Sequence, residues 1–178
     1  MKKLLRYPLR FLSGLLDRLA ALLGATLLAQ FPQFYGQYLQ RLGGHIDELR
    51  RTLSAYEQAA ATLGLSLDQY IEEHLAADSQ VIASSGEIIA DLAARLWQLE
   101  EALQALVSAT PLTRWFVFIR HADWSIARQC WHSFTPGLPT TPEGLVYAGV
   151  GLLLGWFLYS LAQALLSPAF KEKKSNPS

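Results

Sequence analysis

The chain lacks the residue patterns that most catalytic and disulfide-bonded folds need. Its 178 residues include a single cysteine, Cys130, which excludes an internal disulfide framework and disfavours a cysteine-rich zinc site. The sequence contains no glycine-rich phosphate loop, no His-Glu-x-x-His zinc motif and no nucleophile elbow. We therefore predict a protein that is not an enzyme, with no catalytic residue, no metal and no cofactor.

Charge is absent from residues 144–166, an apolar run of 23 residues. A helix rises 1.5 Å per residue, so this run would be about 34 Å long and would cross a hydrocarbon core of about 30 Å. Thr141, Pro142 and Glu143 provide a capping hydroxyl, a proline at the first helical position and a carboxylate at the positive end of the helix dipole. We predict a transmembrane helix over residues 142–167 that ends at Pro168.

A second apolar stretch lies near the N-terminus, but charged residues interrupt it. We predict a basic N-terminus and a first transmembrane helix within residues 1–32, with the hydrocarbon part near 10–29. A cleaved signal peptide is the alternative. Asp17 and Arg18 disfavour it because they split the apolar run, and Leu27 disfavours it because it occupies a position where a cleavage site needs a small residue.

Four polar residues within the predicted spans are candidates for a functional role, namely Asp17, Arg18, Ser160 and Gln163. Two antiparallel spans would place Asp17 at a depth similar to that of Ser160 and Gln163, and proton or ion handling is one hypothesis for such a cluster. The preferred interpretation is that Arg18 extends toward the headgroups. In this interpretation the first 18 residues form an amphipathic entry helix. Its polar face, which includes Asp17, consists of residues 3, 6, 10, 14 and 17.

Small residues recur at spacings of four in both spans. The second span carries Gly144, Ala148, Gly151 and Gly155, and the first offers Ala20 and Gly24 as a matching surface. Small side chains let helix backbones approach closely in lipid, where packing drives association. Pairing within one chain, and dimerisation or docking on a larger complex, both stay open as interpretations.

The distribution of charge predicts the topology. Residues 1–18 carry five Lys or Arg and one acid, residues 167–178 carry three Lys and one Glu, and residues 32–143 carry seven Arg and thirteen acids. The positive-inside rule places both basic ends, including the tail 168–178, in the cytoplasm. The segment 33–141 would then be periplasmic. Basic clusters occur only beside the predicted spans, so no nucleic-acid binding is expected.

The central segment carries two stripes of apolar residues at heptad spacing. They are Tyr38, Leu42, Ile46, Leu49, Leu53, Tyr56, Ala60 and Leu63, and then Ile82, Ser85, Ile89, Leu92, Leu96, Leu99, Leu103 and Leu106. Gly64 is expected to end the first helix, residues 66–69 form a capping box for a short helix to about residue 77, and Asp78 is expected to cap the next helix. We predict an antiparallel, coiled-coil-like hairpin.

Two further features of the central segment lead to predictions. Gly36, Gly43 and Gly44 permit either close contact with a neighbouring helix or a bend, and close contact is favoured. Residues 111–134 are rich in aromatic rings and are expected to form two short helices broken at Asp123, near the outer membrane surface. A metal site is not expected because helical spacing does not bring together its candidate ligands, which are His121, Asp123, Cys130 and His132.

Several of these segments resemble the proteobacterial membrane proteins grouped as domain of unknown function 2937. The resemblance covers roughly residues 10–160 and rests on the segments 31–34, 37–45, 81–82, 86–87, 118–123, 134–139 and 141–145. It implies an inner-membrane protein with both ends in the cytoplasm, and the helical patterns described above predict an all-α fold. The resemblance implies no activity, so it assigns no functional role to any residue.

The sequence predicts a two-pass membrane protein whose partners are the lipid bilayer and a protein partner or a second copy. The preferred function is a non-enzymatic scaffold, assembly factor or accessory subunit that presents the helical hairpin. The alternative is a periplasmic ligand-sensing module. Because only twelve residues follow Leu166, such a sensor would act through a signalling partner.

Overall fold

A computed structural model describes the backbone of residues 6–172 and the side chains of residues 14–165. Over these residues the chain forms six helices and no strand, which confirms the all-α fold class. The helices are α1 (Arg6–Thr62), α2 (Leu67–Leu75), α3 (Gln80–Ser108), α4 (Arg114–His121), α5 (Trp124–His132) and α6 (Pro142–Glu172). Residues 1–5 and 173–178, and the side chains predicted at 3, 6 and 10 to form a polar face, lie outside the described residues.

The first helix ends where the sequence predicts. Gly64 adopts a φ of 72°, which favours glycine, and its N–H donates to Ala61 O at 3.1 Å. The N–H of Leu65 donates to Ala60 O at 3.0 Å. These two bonds form a Schellman motif that satisfies the last carbonyls of α1.

Helices α2 and α6 start at the predicted capping signals, whereas α3 does not. Ser66 and Gln69 form the predicted capping box at the start of α2. The Thr141 hydroxyl accepts a bond from Gly144 N at 3.0 Å, as predicted for the start of α6. The expected cap at Asp78 is wrong because Ser79 occupies the N-cap position of α3 and makes no side-chain cap bond.

Neither of the two prolines near the predicted span ends stops a helix. Helix α1 continues through Pro32. Helix α6 continues past Pro168 to Glu172, so the expected end at Pro168 is wrong. A proline removes one backbone hydrogen bond and strains one turn, but the bonds on either side can hold the helix together.

The chain divides into two compact units. The terminal-helix unit consists of Met1–Tyr35 and Thr135–Ser178, and the central unit consists of Gly36–Phe134. Helix α1 contributes its first part to the terminal-helix unit and its remainder to the central unit.

Within the terminal-helix unit, α1 and α6 are long and apolar enough to span a membrane. Their most apolar windows have mean hydropathies of 1.3 and 1.8, and only 11% and 6% of those windows are buried. Large side chains such as Leu27, Leu153 and Trp156 are exposed along both helices. Phe31 is buried, and its ring centroid lies 5.8 Å from that of Tyr147 on α6. Most of the apolar surface of this unit therefore has no protein covering.

The central unit has an apolar core between α1, α2 and α3. Leu53, Ile71 and Ile89 form its buried centre. At the surface, Arg50 of α1 pairs with Glu100 of α3 at 2.6 Å. The predicted seam of α1 is buried at five positions, which are Tyr38, Leu42, Ile46, Leu53 and Ala60. Leu63 and Ile82, near the ends of the two stripes, are exposed.

Three glycines of α1 in the central unit do not make the contact that the sequence predicts. A Cβ atom added at Gly36, Gly43 or Gly44 would meet nothing within 4 Å, so the expected close helix contact at these glycines is wrong. The close contact occurs instead at Gly86 of α3, where a Cβ would lie 2.8 Å from the Cβ of His74. The sequence pattern shows that a glycine leaves space, but it does not show whether a neighbouring helix fills it.

Candidate functional site

The main polar cluster of the central unit is built around Asp123, the residue predicted to separate two short helices. Its Oδ1 accepts hydrogen bonds from the N–H groups of Ser125 at 2.9 Å and Ile126 at 3.0 Å, which caps α5 and confirms the predicted break. Its Oδ2 pairs with Arg95 of α3. The backbone N–H of Asp123 donates to the Tyr38 hydroxyl of α1 at 2.8 Å. One residue therefore connects α1, α3 and α5.

The environment of Asp123 keeps its carboxylate ionised. Partial burial favours the neutral acid, but hydrogen bonds from Ser125, Ile126 and Arg95, together with the Arg95 charge, outweigh it and lower the pKa of Asp123 to about 2. With its oxygens committed to these donors, the carboxylate is suited to bracing the fold rather than to accepting a substrate proton.

Tyr38 is the buried end of this connection. Its side chain is fully buried, and the Phe118 ring packs against it in a T-shaped arrangement with the centroids 5.0 Å apart. Burial raises the pKa of Tyr38 to about 12, so the phenol is neutral at cellular pH. The hydroxyl can then accept the Asp123 N–H bond within an otherwise apolar environment.

An open polar cavity of about 560 Å³ lies next to this cluster in the central unit. Arg41 reaches across α5 and donates to Ser133 Oγ at 2.9 Å and Gln129 Oε1 at 3.3 Å. Burial raises the pKa of Cys130 against the opposing effect of Arg41, so the thiol stays protonated and is a poor nucleophile. The cavity is lined by Gln37, Gln40, Arg41, Gly44, His45, Cys130 and Ser133.

The metal ligands considered from the sequence do not form a site. Asp123 is committed to Arg95 and to the α5 cap, Cys130 is buried, and His132 is exposed. No group of three His, Cys, Asp or Glu able to hold a metal occurs in the part of the chain that the structure describes.

In the terminal-helix unit the structure brings together four of the six predicted small residues. A Cβ added at Gly24 of α1 would clash with the carbonyl oxygen of Gly151 and lie 3.1 Å from the Gly155 Cα. A Cβ added at Gly155 would clash with the carbonyl oxygen of Ala20. The backbones of α1 and α6 therefore touch within one chain.

The other two predicted small residues lie elsewhere. Gly144 is buried against Pro139 and Thr141 at the start of α6 rather than against α1. Ala148 lines an apolar groove with Ala25 and Ala29 of α1.

A second contact in this unit was not predicted. The side-chain amide of Gln30 bonds both backbone groups of Gly137, accepting from its N–H at 3.1 Å and donating to its carbonyl at 3.2 Å. The connection joins residues 107 positions apart in the chain, and no local pattern in the sequence indicates it.

The four intramembrane polar candidates do not form a connected cluster among the described residues. Asp17 and Ser160 are half-buried, whereas Arg18 and Gln163 are exposed. Gln163 donates to the Tyr159 hydroxyl at 3.0 Å on its own helix. No hydrogen bond or ion pair in the described region joins Asp17 to Ser160 or Gln163. Their functional roles stay predictions.

Two exposed surfaces of the central unit differ in chemistry. The outer face of α3 is acidic with one large ring, and comprises Glu87, Asp91, Ala94, Trp97, Gln98 and Glu101. The aromatic face of α4 and α5 is basic and apolar, and comprises Phe116, Ile119, Arg120, Trp124, Arg128 and Trp131. Both surfaces are candidates for interaction.

These features define an all-helical protein with two apolar helices, one near each end of the chain, that could span a membrane. A family model described as "Protein of unknown function (DUF2937)" matches residues 12–172, and the chain belongs to this family. No curated protein and no solved structure matches the chain. The predicted resemblance to this family is confirmed.

Proposed function

We propose that this protein is a non-enzymatic, two-pass inner-membrane protein that presents its central helices to a protein partner, as a scaffold, assembly factor or accessory subunit. In this proposal α1 and α6 cross the bilayer, both ends of the chain lie in the cytoplasm, and the central unit lies in the periplasm. The basic residues near both ends and the acidic centre support this topology.

The exposure of the terminal helices supports the membrane assignment. The core helix of a water-soluble protein is mostly buried, whereas only 11% and 6% of the apolar windows of α1 and α6 are buried. Apolar surface of this extent is unstable in water and stable in lipid. The contact of Gly24 with Gly151 supports retention of α1 over cleavage as a signal peptide because it gives α1 a packing partner near the other end of the chain.

Two contacts support the hairpin arrangement of the central unit. Arg50 of α1 lies beside Glu100 of α3, while Leu53, three residues later in α1, shares a cluster with Ile89, eleven residues earlier in α3. The contacting residue numbers increase along α1 while they decrease along α3, as they do in antiparallel neighbouring helices. Helix α2 closes the tip through Ile71.

The observation that carries the proposed role is the outer face of α3. Trp97 is 66% exposed there, although a tryptophan is among the costliest side chains to leave in water. Exposed aromatic residues ringed by polar groups are characteristic of protein-binding surfaces. Glu87, Asp91 and Glu101 make this face acidic, so it favours a partner with basic and apolar groups and disfavours an anionic membrane surface.

Site-specific photocrosslinking in intact cells tests this role. A photoreactive residue placed at Ala94, Trp97 or Glu101 should yield adducts with one protein. The matched control is Gln58, an exposed position on α1, and it should yield none. The proposal fails if the α3 positions give no protein adduct or the same adducts as Gln58.

A second candidate function is ligand sensing through a signalling partner, and the polar cavity of the central unit favours it. Arg41 gives the cavity cationic character, which suits a small carboxylate or other anion. A panel of small anions added to the full-length protein in detergent should then raise its unfolding temperature. The effect should be lost in Arg41→Gln, and a panel with no effect on the wild-type protein would exclude this candidate.

A further inference from the structure

The exposed side of α5 combines aromatic rings with a positive charge. Ile126, Ala127 and Cys130 form its buried side. On the opposite side, Trp124, Arg128 and Trp131 follow one another at spacings of four and three, which places them on one face of the helix. Trp124 is 61% exposed and Trp131 is 67% exposed. This side of the helix therefore exposes two indole rings with an arginine between them.

Helix α4 repeats the pattern. Phe118 points inward against Tyr38, whereas Phe116, Ile119 and Arg120 are exposed on the other side. Phe116 and Arg120 are four residues apart and thus share a face. The two short helices together form the aromatic face defined above, which exposes four large apolar side chains.

The charge of this face differs from that of the rest of the central unit. Residues 111–134 contain three arginines and one acid, Asp123. Asp123 is mostly buried and already pairs with Arg95, so it does not neutralise the exposed arginines. In the region that the structure describes, Arg120 and Arg128 form no ion pair. The face therefore presents free positive charge beside indole and phenyl rings.

We propose that the aromatic face of α4 and α5 docks on the anionic phospholipid headgroup layer of the membrane. Tryptophan rings favour the headgroup level, and arginines beside them are attracted to anionic lipids. Only residues 133–141 separate α5 from the apolar helix α6, so the chain enters the membrane soon after this face. This inference rests on the membrane-spanning part of the proposed function.

Fluorescence quenching in lipid nanodiscs tests the proposal on the full-length protein. Variants retain one tryptophan each, Trp124, Trp97 or Trp156, with the other four tryptophans replaced by phenylalanine. The nanodiscs contain phosphatidylcholine and phosphatidylglycerol, with spin labels attached either to headgroups or deep in the acyl chains. Acrylamide serves as the quencher from the aqueous side. Burial of Cys130 against thiol reagents verifies that each variant is folded.

The three tryptophans should give three different patterns. Trp124 should be quenched by the headgroup label and protected from acrylamide, whereas Trp97 should be quenched by acrylamide alone. Trp156, within α6, should be quenched by the deep label. Each arginine near an anionic surface contributes about 1 kcal/mol, so Arg128→Gln should shift the docked population about fivefold toward the undocked one.

The outcomes separate this inference from the proposed function. If Trp156 is quenched by the deep label while Trp124 is as accessible to acrylamide as Trp97, the docking is wrong and the membrane spans stand. If Trp156 is also inaccessible to both lipid labels, the membrane assignment itself is wrong. The proposed recognition of anionic lipid would also be overturned if Trp124 were protected from acrylamide to the same extent in nanodiscs with and without phosphatidylglycerol. The same holds if the protection were equal in detergent without lipid.

Discussion

Different kinds of contact hold the helices together within each of the two units. In the terminal-helix unit, α1 and α6 touch through backbone atoms at Gly24 and Gly151, where side chains are missing. In the central unit, aliphatic side chains fill the core around Leu53 and Ile89, and one polar network ties the helices together. A Cβ added at the central glycines Gly43 and Gly44 would meet nothing within 4 Å. A close approach in the central unit occurs instead at Gly86, so a glycine by itself does not identify a helix contact.

The difference follows from the solvent that each unit is proposed to face. Lipid chains are as apolar as leucine, so helices gain little by burying leucine and gain most from close backbone contact. In water, burial of each large apolar side chain stabilises the fold by about 1.5–3 kcal/mol. The substitutions below test this contrast, in order of decreasing expected effect.

The largest effect is expected for Gly151→Leu. A Cβ at this position already clashes with the carbonyl oxygen of Gly24 and lies 2.9 Å from the Ala25 Cα, so the helices must separate. We expect a loss of about 3 kcal/mol in the free energy of the helix pair. The free energy of the helix pair is measured by energy transfer between two dyes during an SDS titration. The dyes are attached at Gly14→Cys and Leu165→Cys in a Cys130→Ala background.

The matched control is Gly149→Leu, on the same helix, where an added Cβ meets nothing within 4 Å. It should leave the SDS midpoint nearly unchanged. Equal loss in both variants would show that the helix pair does not depend on backbone contact at Gly151.

Asp123→Ala should have the next largest effect, now on the central unit. It removes the side-chain cap of α5 and the partner of Arg95, for an expected loss of about 2 kcal/mol. Cys130 is the only cysteine and is buried, so pulsed thiol labelling through a urea titration measures unfolding of this unit. Asp91→Ala, at an exposed position of α3, should change little, and similar losses in both would contradict the role of the network.

The pKa of Asp123 also predicts a dependence on pH. Its pKa is about 2 in the folded protein, below the ordinary value of 3.8, so the ionised form stabilises the fold. This contribution is present above pH 3.8 and is lost as the pH falls from 3.8 toward 2. Urea midpoints followed by circular dichroism should fall in this range for the wild type and fall less for Asp123→Asn. Parallel curves would show that Asp123 is not a source of the acid sensitivity.

Tyr38→Phe is expected to cost about 1 kcal/mol because it removes the acceptor for the part-buried N–H of Asp123 without changing the packing of the ring. The same thiol-labelling assay applies. Tyr56→Phe is the control, since Tyr56 packs against the core without a hydrogen bond from its hydroxyl among the described contacts. If the two variants are equally stable, the Tyr38 hydroxyl does not contribute.

Gly43→Ala should have the smallest effect, with the opposite sign. The glycine lies inside α1 and no neighbour occupies the space of a methyl group, so alanine should stabilise the central unit by up to about 1 kcal/mol. Gly86→Ala is the contrasting variant and should destabilise the unit because a Cβ there lies 2.8 Å from the Cβ of His74. A loss of stability in Gly43→Ala would indicate a contact at this position that the single chain does not show.

The sequence predicted those features that depend on neighbouring residues in the chain. The end of α1 at Gly64, the capping box at Ser66, the break at Asp123 and the start of α6 at Thr141 are all confirmed. Each is specified by groups within a few residues of one another, so the local pattern contains the information. The buried seam of α1 follows from periodicity in the same way.

The features that sequence reasoning missed connect distant parts of the chain. The bond between Tyr38 and Asp123 spans 85 residues and the pair of Arg95 with Asp123 spans 28, and neither has a local signature. The one available signal for this network was Arg95, which lies between Leu92 and Leu96 of the heptad stripe on α3. A charged side chain beside an apolar core needs a partner. The expectations for Gly43, Gly44 and Pro168 were wrong because small residues and prolines permit a contact or a kink without specifying it.

The most direct test of the whole account is the side of the membrane on which α3 lies. Cys130 is buried and cannot report it in the native protein, so Gln98→Cys on the outer face of α3 is placed in a Cys130→Ala background. A membrane-impermeant maleimide should label this protein in intact spheroplasts, whereas a cysteine appended after Ser178 should be labelled only after lysis. The reverse pattern, or recovery of the intact chain from the soluble fraction without detergent, would contradict the account.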